Sequence, residues 1–321
     1  MATRCLRTLA LLVLAPLLAG GCATFTAVDR DSAFTEPPQS VELDDVPFYP
    51  QEALQCGPAA LAEVLQWSGR PTHPDELEPD LFIPERGGSL QAELRAQTRA
   101  RDRVPYRLSG SFDDLLAELH DGNPVLVMQN LGLGWLPMWH YAVVVGFDAD
   151  ADTLILRSGP DRRRITGLDR FRRTWERAER WAIVVVEPDR IPASATPGGW
   201  LQAALELEES DRDRAARAAY AAGRARWPRD GAFHVALVNL HHGTGDADAA
   251  VAAARRGLLE AESETGVLHN NLAMLLMQRG NTAAARAHAE AALDHGGPHA
   301  DAFRATLETI QAHGNDEPGA P

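Results

Sequence analysis

Two side chains in this sequence are of the types that attack and protonate at a carbonyl. One is Cys56 in YPQEALQCGPAAL, residues 49–61; the other is His140 in WHYAVVVGFD, residues 139–148. The stretch GPAALAEVLQWSG has apolar residues at helical spacing and ends in glycine, which predicts a helix starting just after Cys56. Free backbone N–H groups at a helix start concentrate partial positive charge, so a thiol there is expected to ionise more easily, and the thiolate is the nucleophile. Pro58 suits a first turn, where its missing N–H costs nothing. His140 opens a β-branched run, a rigid place from which an imidazole can take the thiol proton and later return it to a leaving amine. The competing reading is that Cys56 is only a small buried side chain.

The three cysteines sharpen that choice. MATRCLR is a short basic start, TLALLVLAPLLA an apolar run and GGC follows, which reads as an export signal over residues 1–21. The run is shorter than the ~20 apolar residues of a spanning helix. LLAGGCA resembles a bacterial lipobox, which implies cleavage before Cys22 and a lipid on that cysteine; a plain secretory signal is the alternative. Ala23 and Thr24 include no aspartate, and by the same resemblance the anchored chain is expected in the cell envelope, on the outer membrane facing the periplasm. Cys5 then leaves with the signal, Cys22 is occupied, and Cys56 remains as one free thiol in a disulfide-permissive compartment.

The elements that must position these residues follow from pattern. Residues 22–45 are polar with a Pro-Pro pair and read as a flexible or extended tether. Residues 46–190 are mixed: SFDDLLAELHDGNP predicts a second helix with Ser111 as N-cap, and PVLVMQN, HYAVVVGFD, TLILRSG and RWAIVVVEP read as four strands. Helices first and strands afterwards argue for an α+β domain. IPASATPGG marks a linker, residues 191–198, and beyond it the chain is alanine-rich. A period of 35 relates Leu205, Leu240 and Leu275, Ala215, Ala250 and Ala285, and Ala219, Ala254 and Ala289, with Gly245 and Gly280 at one turn. Units of this kind share one core by stacking, so residues 199–312 are expected to form an all-α solenoid that folds separately. An unrelated alanine-rich helical bundle is the alternative. Residues 313–321 read as a disordered tail.

VPFYPQEALQCGPAALAEVL and HYAVVVGFD resemble the papain-like cysteine peptidases of the bacteriocin-processing, double-glycine type, particularly stand-alone forms not fused to a transporter. The 35-residue spacing and the G-[DN]-x-x-x-A pattern resemble tetratricopeptide repeats, which bind partner proteins or peptides, and the whole order resembles a lipoprotein group of that architecture. The resemblance implies that Cys56 is the nucleophile and His140 the general base. It also implies that Gln51, with Gln55 the weaker match, gives a side-chain N–H to an oxyanion hole beside the Cys56 N–H, and that the substrate is a peptide or protein. The family usually carries an aspartate that orients the histidine one hairpin later; here LILRSGPDRR puts Ser158 at that place and Asp161 just beyond. That departure keeps a second reading open, a catalytically silent envelope adaptor.

Other candidates carry less. A net charge of -14 gives no footprint for nucleic acid. DADAD, residues 148–152, starts like a calcium loop but has Thr153 where glycine is needed and Gly159 where the closing glutamate is needed, so it reads as a turn. His241 with His242, and His295 with His299, lack zinc spacing, and neither metal nor cofactor is expected. RSGPDRRR and RFRR form an arginine cluster that is either a solvated edge or a bidentate carboxylate receptor. Trp135 and Trp139, just before His140, either line a substrate cleft or serve as core or rim packing.

Overall fold

The computed structural model describes residues 39–50, 56–81 and 89–316. Cys22, Gln51, Gln55, the signal segment and most of the tether lie outside the described residues.

The elements run β1 (Val41–Glu42), α1 (Cys56–Trp67), α2 (Pro74–Leu81), α3 (Gln91–Ala100), β2 (Val104–Arg107), α4 (Phe112–His120), β3 (Val125–Asn130), β4 (Trp139–Asp148), β5 (Thr153–Ser158), β6 (Asp161–Gly167), α5 (Leu168–Glu176) and β7 (Ala182–Val186). Seven further helices follow among the described residues: α6 (Pro197–Glu208), α7 (Asp213–Arg226), α8 (Gly231–Gly243), α9 (Ala247–Glu260), α10 (Thr265–Gln278), α11 (Thr282–His295) and α12 (Ala300–Asp316). The strands form one antiparallel sheet in the order β2-β7-β3-β4-β5-β6, and β1 pairs with β4. The four strands read from the sequence are β3, β4, β5 and β7; β1, β2 and β6 are additional.

Alternation along β4 divides the core. Tyr141, Val143 and Val145 pack with Leu61, Val64 and Leu65 of α1, whereas Ala142, Val144 and Phe147 pack with α4 and α5 through Leu115, Leu116, Phe171 and Trp175. Helices therefore cover both faces of the sheet. Ser111 caps α4 as expected, accepting from the Asp114 N–H at 3.2 Å. The expectation of a tether up to residue 45 needs correcting, because Val41 and Glu42 pair with Phe147 and Gly146. Gly146 permits the crossing: a Cβ there would lie 2.7 Å from the Val41 carbonyl oxygen. At the other end α12 runs through Asp316, so the first part of the supposed disordered tail is helical.

The helical segment is docked on the sheet rather than joined to it by a free linker. Thr196 caps α6, accepting from the Gly199 N–H at 3.2 Å, and the Tyr106 hydroxyl accepts from the Thr196 N–H at 3.1 Å, so the linker is pinned to β2. Trp200, Ala203, Ala204 and Leu207 of α6 join one buried cluster with Val104, Tyr106 and Val184 of the sheet. Glu206 accepts from Arg95 and, at 3.1 Å, from Arg99 of α3. The docked residues of α6 follow the helical i, i+3, i+4, i+7 spacing, with Trp200 the largest among them.

Candidate active site

Cys56 is the first residue of α1 and is half-buried. The backbone N–H groups of Tyr141, Gly57 and Cys56 itself act on its thiol. Those N–H groups favour the thiolate, but burial outweighs them and pushes the thiol above its ordinary pKa. The sequence-based expectation of a readily ionised thiol is corrected here: a helix start helps an anion only as far as the site remains solvated. Gly57 is required by the close approach of Ser89, whose Oγ would be 2.5 Å from a Cβ, and the Tyr141 hydroxyl donates to the Ser89 carbonyl at 3.2 Å.

His140 is fixed by its far nitrogen. Nε2 lies 2.8 Å from Ser158 Oγ, and Ser158 is buried at the end of β5. With Nε2 held, Nδ1 is the nitrogen left for the thiol proton. Thiol and imidazole share no hydrogen bond among the described residues. Burial, reinforced by the positive charge of Arg164, lowers the imidazole to about 4. With thiol raised and imidazole lowered, both groups rest neutral at ordinary pH. Asp161 takes no part: it opens β6, reaches Arg164 at 3.9 Å and makes no hydrogen bond to His140 among the described residues. The residue at the orienting position is thus Ser158, and the expectation for Asp161 is corrected.

The strap ahead of the nucleophile is held on two sides. The Tyr49 N–H donates to Glu63 Oε1 of α1 at 3.0 Å, and the Tyr49 hydroxyl to Gln66 Oε1 at 2.6 Å. Burial raises the Glu63 carboxyl to about 8, so it is protonated at neutral pH. Arg157, 2% exposed, donates to the carbonyls of Asp44 at 2.9 Å, Val46 at 3.1 Å and Arg162 at 2.6 Å. Sequence reading missed both residues, although a charged residue inside each of two apolar runs, AALAEVL and LILRS, was the available signal.

Between β3 and β4 the chain forms a short hairpin whose side chains face solvent. The Leu133 N–H donates to the Leu136 carbonyl at 3.0 Å, and Asn130 Oδ1 accepts from the N–H groups of Gly132 and Met138. Trp135 is 80% and Trp139 53% exposed, with Leu133, Leu136 and Met138 also exposed. This rules out the core reading of the two tryptophans and leaves an apolar rim next to His140. DADAD is the β4–β5 turn, with Asp148 Oδ1 accepting from the N–H groups of Asp150 and Ala151. No cluster of three or more metal-ligating side chains occurs among the described residues.

A thiol at a helix start and an imidazole oriented through one nitrogen, carried on one α+β scaffold, are groups suited to acyl transfer. Residues 43–183, from the strap to β7, match the Peptidase_C39 like family. Similar solved structures include one described as a C39-like peptidase from Bacillus anthracis, at 17% identity and a TM-score of 0.40, covering 46% of this chain and 98% of that one. The peptidase domain of Streptococcus ComA, a bi-functional ABC transporter, is similar at 20% identity and a TM-score of 0.35 over 47% of this chain and 98% of that one. The Yersinia enterocolitica chaperone SycD in complex with a peptide of the translocator YopD is similar at 18% identity and a TM-score of 0.33 over 36% of this chain and 93% of that one. No curated protein matches the chain.

Ser158 is the residue whose exchange reads the site most directly. Ser158→Asp is expected to raise the pKa of His140 by about 1–3 units, since a carboxylate there favours the imidazolium. Ser158→Ala removes the hydrogen bond without adding charge and is expected to broaden or shift the ring resonance without that rise. NMR titration of the His140 side chain distinguishes the two; an unmoved pKa in Ser158→Asp would contradict the assigned contact.

Proposed function

We propose that this chain is an exported, lipid-anchored cysteine peptidase that cleaves a peptide bond through an acyl-enzyme on Cys56. The observation that carries the reading is the His140–Ser158 contact, with the N–H of the next residue, Tyr141, favouring the Cys56 thiolate. As Sγ attacks the carbonyl carbon, its proton passes to His140 Nδ1; the imidazolium, held at Nε2 by Ser158, then protonates the leaving amine, and water releases the acyl group by the same steps. The Cys56 N–H and, by the sequence resemblance, the Gln51 side chain receive the developing oxyanion. The apolar hairpin from Leu131 to Trp139 offers a surface to the substrate chain.

The helices from α6 onward are read as tetratricopeptide repeats that hold a protein substrate or partner. Asp246 and Asn281, 35 residues apart, cap α9 and α11 alike, Gly245 and Gly280 both take positive φ, and Ala215, Ala250, Ala285, Ala219, Ala254 and Ala289 are all buried. Anchorage through Cys22 at the outer membrane remains part of the proposal on the sequence signal alone.

A peptidyl electrophile tests the reading directly, since it reports on the nucleophile whichever peptide is the natural substrate. Covalent labelling at Cys56 that is lost in His140→Ala supports it. Absence of labelling across a panel of peptide sequences favours the adaptor reading, to which the uncharged orienting residue also speaks. The pH profile gives a second check: the base must be neutral, so labelling is expected to fall only as pH drops through about 4, the value to which His140 is lowered. An acid limb near the ordinary imidazole value of ~6.5 would contradict this.

A further inference from the structure

Behind Ser158, on the face of the sheet that carries α5, a small cavity is lined by Ser158, Arg164, Thr166, Arg170 and the edge of Leu156. Gln129 and Thr174 also border it, but they bond to each other at 2.6 Å, and the Thr174 hydroxyl donates to the Phe171 carbonyl at 2.8 Å. The remaining lining residues are Arg164, Arg170, Ser158 and Thr166, with Leu131 and Leu156 as an apolar edge. No carboxylate is among its lining residues, and the acid nearest Arg164, Asp161, stands 3.9 Å away on a half-exposed pair. Arg170 is exposed, so the cavity opens to solvent. Two arginines and two hydroxyl residues lining one cavity with no carboxylate among them suit a small oxyanion, and a planar carboxylate matches the guanidinium fork.

We propose that this cavity binds a small free carboxylate such as formate or acetate, which places beside Ser158 the negative charge that the orienting position itself lacks. Binding follows from the cavity alone; its consequence for catalysis rests on the Cys56–His140 reading above. An anion there offsets Arg164 and stabilises the imidazolium, the form that develops as the thiol attacks. The charged group acting on the ring is Arg164 of β6; Ser158 of β5 bonds it, and the neutral Gln129 of β3 is its cross-strand partner.

The test is an NMR titration of the His140 side chain in the full chain, assigned by comparison with His140→Gln, in sodium formate against sodium chloride of equal ionic strength. A saturable upward shift of about 1 unit or more in formate is expected. The double variant Arg164→Gln, Arg170→Gln should lose that response, while its His140 in chloride titrates higher than in the parent because the neighbouring positive charge is gone. Equal titrations in the two salts, or a formate response that survives in the double variant, would overturn the proposal. A peptide ending in a free carboxylate that shifts His140 where formate does not, and whose amide is inert, would assign the cavity to a chain end instead and overturn the free-anion form. None of these outcomes depends on peptide turnover, so they separate from a failure of the peptidase reading.

Discussion

Cys56→Ala is expected to fold as the parent does and to lose more than about 10³-fold of any peptide turnover the parent displays, because no other group can form the acyl intermediate. Stability should change by less than about 1 kcal/mol: the side chain is small and half-buried and gives no side-chain hydrogen bond that the fold depends on, and alanine is a good first-turn residue. Cys56→Ser keeps the shape but replaces the thiol with a far weaker nucleophile, so it should be as inactive while retaining substrate. Quantitative mass spectrometry of cleavage products, together with a binding measurement on the inactive variants, reads both points. Turnover above background in Cys56→Ala would remove the assignment. Equal binding by parent and variant with no cleavage by either would instead identify an adaptor.

Trp200→Ala is expected to cost about 3–5 kcal/mol, in the range of a fully buried aromatic removed from a core. Trp200 is wholly buried, and its Nε1 donates to the Ala219 carbonyl at 2.8 Å, so the variant loses packing against Tyr106 and a hydrogen bond to α7. The loss should appear in one transition affecting sheet and helices together, because α6 belongs to the same buried cluster as β2 and β7. Denaturant unfolding followed by far-ultraviolet circular dichroism and by labelling of half-buried Cys56 should give coincident curves. Two separate transitions, with the sheet unaffected, would instead restore an independent helical unit. Cutting the chain at Gly199 is expected to leave helices that associate through the uncovered face of α6.

The parts that were legible in the sequence are those where local pattern and tertiary role agree. The helix behind Cys56, the capped helix at Ser111 and the four β-branched strands have strong periods and turn residues at their ends, and the structure holds all of them. Ser158 was found because it occupies the place of an expected acid, and it does meet His140. What stayed hidden is governed by the rest of the molecule. β1 is two residues long in a polar stretch, and β6, DRRRITG, is a mostly exposed edge strand whose arginines mask its alternation. α5 could have been found: Leu168, Phe171 and Trp175 lie at helical spacing beneath the arginines of RFRR. The raised thiol and lowered imidazole were beyond reach, since both depend on how deeply the completed fold buries them.

The strap from Val41 to Tyr49 also determines how force enters the domain. A pull on the chain ahead of Val41 is borne first by the short ladder to β4, then by the Arg157 guanidinium, and then by the Tyr49 bonds to α1. Three successive anchors thus take up load before it arrives at residue 50. Load on the start of the chain is therefore shared between the sheet and the later turns of α1, at Glu63 and Gln66, rather than falling first on the turn that begins with Cys56.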